Sequence, residues 1–130
     1  MNTPQFAATP ETARASCTPA YTNRSGAAAE GLKELLVAAE NGTKVTQIVV
    51  KSSGNSTAGL VLVFITDEAG ANPMLFDEIS YGTATPNNTV QSARNAAVYD
   101  DLQLKSGQKI LVGATVATSA VNVFASKGDF

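Results

Sequence analysis

Three acidic doublets, Asp67-Glu68, Asp77-Glu78 and Asp100-Asp101, are the residues whose types most readily suggest chemistry. Two carboxylates held ~5–10 Å apart across a cleft can hydrolyse a glycosidic bond, and a cluster of hard oxygens can hold Ca²⁺. Neighbours along a strand point to opposite faces, however, so a doublet is not by itself a pair. The first and third doublets also fall at the ends of strand-like runs, where solvated charge is ordinary. Histidine is absent, which removes Ser–His and Cys–His nucleophilic pairs, imidazole metal sites and the cupin type of jelly-roll enzyme. Cys17, the single cysteine, has no histidine base and reads as a small buried hydrophobe. There is no glycine-rich phosphate loop. Sugar platforms favour exposed flat aromatics, and the chain offers Tyr21, Tyr81 and Tyr99 but no tryptophan. The expectation is a protein with no catalytic residues, no metal and no cofactor.

The elements that position these residues are organised around 44–67, KVTQIVVKSSGNSTAGLVLVFITD. It holds two runs rich in Val and Ile, 45–50 and 60–65, whose branched side chains suit a pleated surface. Simple alternation puts Thr46, Ile48 and Val50 on one face, with Val45, Gln47, Val49 and Lys51 on the other. In the second run Leu60, Leu62 and Phe64 oppose Val61, Val63 and Ile65, so both faces are apolar and both need a cover, from a sandwich or from an oligomer contact. Upstream, 26–39 has helical spacing and high helix propensity, yet it runs into Asn41-Gly42, a two-residue hairpin signal; strand is favoured for 32–39. Residues 16–23 suit a short edge strand despite Pro19. Downstream, 74–81 reads as a strand with imperfect alternation, 82–88 as a turn or loop, 89–98 as either strand or loop, and 99–104 as a strand with Leu102 and Leu104 at period two. A turn at 105–108 leads to a second hairpin, 109–117 with 120–125. The count is seven to nine short strands spaced as in an antiparallel sandwich.

Residues 1–15, with Pro4, Phe6 and Pro10, show no period. Proline lacks an amide donor and fixes φ, so this stretch is expected to be an extended arm, with residues 16–130 forming the sandwich. Residues expected to meet other protein are Pro4, Phe6, Pro10, Tyr21 and Phe130. At 130 residues, 44% apolar and 15% charged with a net charge of −2, the composition suits an ordered single domain. Scattered cations argue against nucleic-acid binding. No stretch has transmembrane length, and with no apolar signal behind Met1 synthesis in a reducing cytoplasm is expected.

From 41 to 130 the chain resembles small structural proteins of tailed bacteriophages. The resemblance sits in NGTKVTQIVVKSSGNSTAGLVLVFITD, in LFDEISYGTATPN and in LQLKSGQKILVGAT; residues 1–40 do not share it. The resemblance implies an all-β virion protein, a single antiparallel jelly-roll-like sandwich acting as a decoration or cement protein. It would bind the major capsid protein on the outer capsid surface, as a trimer, and stabilise contacts between capsomers. A tail, baseplate or head-fibre component is the alternative within that class. A glycan- or receptor-binding module using Tyr81 or Tyr99 is the alternative outside it.

Overall fold

The computed structural model describes residues 9–18, 20–26, 32–116 and 119–130. Among the described residues there are eight strands: β1 (Thr9–Cys17), β2 (Lys33–Val37), β3 (Thr43–Ser52), β4 (Gly59–Ile65), β5 (Met74–Tyr81), β6 (Arg94–Leu104), β7 (Lys109–Ala114) and β8 (Val121–Asp129). They form two antiparallel sheets of four strands, ordered β1-β8-β3-β6 and β2-β7-β4-β5. That strand order is a jelly roll, the sandwich expected from the sequence.

Between the sheets lies a dry layer of branched aliphatics. Val45, Ile48, Val50 and Val123 come from one sheet and Val61, Val63, Ile110 and Val112 from the other, all without exposure to solvent. Each contributes about 1.5–3 kcal/mol by leaving water. A bulge at Thr46 separates the register pairs of Val45 and Gln47. It rotates Val45 onto the same inward face as Ile48 and Val50, which corrects the simple alternation.

Strand was the right reading for 32–39, but the hairpin that argued for it does not form. β2 pairs with β7 and β3 pairs with β6 and β8, so the Asn41-Gly42 turn carries the chain from one sheet to the other. Gly42, at φ 94°, makes that corner and donates its amide to Ala39 O at 2.9 Å. The proposed hairpin of 109–117 with 120–125 is likewise a crossing, since β7 and β8 lie in opposite sheets. Among consecutive strands only β4 and β5 pair directly.

The arm boundary also moves. Thr9–Cys17 is the edge strand β1, paired along its whole length with β8 from Thr9↔Asp129 to Cys17↔Val121. Residues 9–15 therefore belong to the sandwich, and the edge strand expected over 16–23 lies earlier in the chain. Pro10 is tolerated because β1 is an outer strand.

The second apolar face of β4 finds its cover within the chain. Leu62 and Phe64 are fully buried beneath Tyr21 and Leu32 in the β1–β2 connection. The Tyr21 ring meets Phe64 edge-on, with centroids 5.9 Å apart, and its amide donates to Ala114 O at 2.8 Å. Gly113 permits this approach, since a Cβ there would stand 2.9 Å from the Tyr21 Cβ. Further along, Arg24 forms an ion pair with Glu78 of β5. The outer face of the other sheet stays open, with Thr12, Arg14, Ser16, Thr46, Arg94 and Val98 all exposed.

Candidate functional site

The β5 and β6 strands are the free edges of their two sheets on the same side of the sandwich. Large apolar side chains remain exposed along them: Met74 (75%), Val98 (73%), Phe76 (43%) and Leu75 (38%). The two edges are joined. The Phe76 and Tyr99 rings pack at 5.4 Å with a 52° tilt, Tyr99 Oη donates to Asp77 Oδ2 at 2.7 Å, and Asn95 Nδ2 donates to Ser80 O at 2.8 Å. A register shift between Val63 and Phe64 makes Phe76 the extra residue of β5, which places it outside the regular ladder. A shallow depression lies beside it, lined by Ile65, Thr66, Met74, Leu75 and Gln108 among others.

Each edge has one amide that is already engaged locally. The Glu78 amide donates to the Asp77 carboxylate and the Ala96 amide to the Asn95 side chain, each at 2.8 Å. An amide engaged this way is not offered to a passing strand. Beyond their backbone, the edges present side-chain surface, apolar with an aromatic centre, which is the composition found at the core of protein interfaces.

The acidic doublets are separated in function by their surroundings. Asp67 caps its own loop, accepting from the Ala69 and Ala71 amides at 3.0 and 2.9 Å and from Asn72 Nδ2 at 2.8 Å. The Ala71 amide, followed by Asn72, holds the Asp67 carboxyl below the usual range. Asp77 serves the β5–β6 seam, where burial first and then the Asp77 carboxylate push the Tyr99 phenol well up. Asp100 and Asp101 are exposed in a wide bulge of β6. Among the described residues no three His, Cys, Asp or Glu side chains gather as a metal site would need. Burial pushes the Cys17 thiol up to about 11, so it rests as a neutral core residue.

Of the residues expected to meet other protein, Tyr21 lies apart from Pro10 and Phe130, which the β1–β8 register puts at the same end of the ladder. Pro4 and Phe6 lie outside the described residues. Pro10 is exposed on β1, and Phe130 is half-buried, donating its amide to Gly42 O at 3.1 Å. Tyr21 is a correction: at 3% exposure it belongs to the packing over β4 and cannot also form a surface. Tyr81 is similarly buried at 4%, with its hydroxyl donating to Val116 O, so it offers no platform for a sugar. The sequence reading missed the Met74–Phe76 and Val98–Tyr99 pairing. The signal was the imperfect alternation of 74–81, which sets Met74 and Phe76 apart from Leu75, Ile79 and Tyr81.

No protein-family model matches the chain, and a search of curated proteins returns no match.

Proposed function

We propose that this jelly roll is a structural virion protein, a decoration or cement protein that binds the outer surface of a capsid shell through its β5–β6 edge. The observation that carries the reading is the cluster of exposed apolar side chains, Met74, Leu75, Phe76 and Val98, gathered at the β5–β6 edge. An isolated exposed leucine needs no explanation, but a cluster of large ones joined by an aromatic pair is the mark of a protein contact. The resemblance of 41–130 to phage structural proteins supplies the class of partner, the major capsid protein, and threefold positions on a shell supply the trimer as the assembly state.

The test is co-sedimentation of the purified chain with assembled shells that lack it, together with the temperature at which those shells break. Saturable binding in register with shell subunits, and a raised breaking temperature, are expected. A chain that stays in the supernatant at concentrations well above those of the shell subunits overturns the reading. Copy number per particle separates shell from tail, since a shell takes hundreds of copies and a tail or baseplate about three to twelve.

A further inference from the structure

We propose that the open outer face of the β1-β8-β3-β6 sheet is a second docking surface, shaped for an acidic patch on another protein. This is a different face from the apolar edge, and its case does not depend on a capsid being the partner.

The ladder registers define what this face presents. Four cross-strand rows run over it: Ser16–Asn122–Lys51–Arg94, then Arg14–Phe124–Val49–Ala96, then Thr12–Ser126–Gln47–Val98, then Pro10–Gly128–Lys44–Gln103. The alternate residues, among them Val50, Val123 and Ala125, are buried in the core, which fixes these rows as outward. Phe124 and Val49 sit half-buried at the centre, with Val98 exposed beside them. Arg14, Lys44, Lys51 and Arg94 surround them.

The charge on this face is unbalanced. Arg24, Lys105, Lys109 and Lys127 all have carboxylate partners. Among the described residues Arg14, Lys44, Lys51 and Arg94 form no ion pair, and Lys51 Nζ donates only to Ser92 O at 3.2 Å. Of the carboxylates on these four strands, Glu11 and Asp129 are engaged with Lys127, and Asp100 and Asp101 lie in the β6 bulge at one margin. The chain as a whole has nine cations and eleven carboxylates, so four cations on one open face leave the rest of the molecule distinctly acidic.

An apolar centre surrounded by polar and charged groups is the anatomy of a protein interface. Nucleic-acid binding draws on cations clustered along a backbone track, whereas here they stand at the perimeter of an apolar middle. Strands ~4.8 Å apart and rows ~6.6 Å apart give a patch of roughly 14 by 20 Å between outermost Cα atoms. That is small beside the ~800 Å² each partner gives to an ordinary stable interface. Charge should therefore set how fast and how selectively this contact forms.

The experiment titrates the ¹⁵N-labelled chain with poly-L-glutamate at low salt and follows its amide resonances. Shifts are expected at Arg14, Val49, Lys51 and Arg94, fading between ~50 and ~500 mM salt as the charges are screened. A double variant, Arg14→Glu with Arg94→Glu, is expected to weaken binding at least about tenfold. A control of equal net charge, Lys33→Glu with Lys105→Glu, should stay within about twofold. Both positions of the first variant are exposed, and an unchanged amide spectrum elsewhere confirms its fold. Three results would overturn the proposal: shifts centred off this face, equal losses in the two variants, or a stronger response to single-stranded oligo(dT) of matched charge. Shifts that track self-association in place of poly-L-glutamate would also overturn it, because the occupant would then be a second copy.

Discussion

Two side chains show how local surroundings set what a residue can do. The Tyr21 hydroxyl is buried with no hydrogen-bond partner among the described residues, and an unsatisfied polar group costs about 1–3 kcal/mol. Tyr21→Phe is therefore expected to leave stability unchanged or raise it by up to about 1 kcal/mol in thermal melts. A loss larger than that would reveal a partner for the hydroxyl. Asp129 has the opposite situation. Its carboxylate accepts from Thr43 Oγ1 at 2.8 Å and from Lys127 at 3.0 Å, where β1, β3 and β8 converge. The Thr43 hydroxyl, then Lys127, hold its carboxyl below the ordinary value. Lys127 loses some charge preference to burial, but Glu11 and Asp129 outweigh that and its net shift is upward. A lowered folded value means the Asp129 contribution is complete above the unfolded pKa of ~4 and fades as pH falls through the folded one. Melts of Asp129→Asn from pH 7 to pH 2 should start lower than the parent at neutral pH and converge with it in acid. Parallel curves would show that Asp129 carries none of the acid sensitivity.

At the scale of elements, β1 shows what the residue pattern could and could not reveal. Its exposed half-face, with Pro10, looks in sequence like free chain, because an outer strand needs only one buried row and that row is Ala13, Ala15 and Cys17. Small side chains give little periodic signal. Truncation after Ala15 removes seven of the nine β1 residues and uncovers the β8 ladder, so the melting temperature should fall by more than about 10 °C. Little change would mean β1 adds nothing to the body. The strands around β3, β4 and β8 were legible because their apolar runs are long and branched. Their pairing was not. Asn41-Gly42 signals a reversal of direction, and a jelly-roll corner reverses direction too, but into the facing sheet. A turn dipeptide cannot distinguish the two. The doubly apolar β4 was the better guide, since Leu62 and Phe64 require a cover and Tyr21 provides it. The edge surface was the least legible part, because Met74, Phe76 and Val98 are individually ordinary core residue types. Only the topology leaves them outside.

For the molecule as a whole, the two exposed surfaces meet at Val98, which lies on the free β6 edge and in the outward row with Gln47 and Ser126. Phe76→Ser combined with Val98→Ser should leave the melting temperature within about 3 °C, because both side chains are already partly in water, while shell binding falls at least about tenfold. Retained binding would remove the β5–β6 edge from the contact. The strand order carries one more consequence, for synthesis. In the sheet ordered β1-β8-β3-β6, β8 is one of the two inner strands and separates β1 from β3. Until that segment leaves the ribosome, β1 has no hydrogen-bonded strand partner and β3 shows a bare flank. The nascent polypeptide must therefore wait, half-assembled and prone to sticking, for its eighth strand to thread between pieces made long before. Ribosome-stalled chains from which the residues up to about 119 have emerged should be readily digested by protease, and emergence of only about ten further residues should protect them.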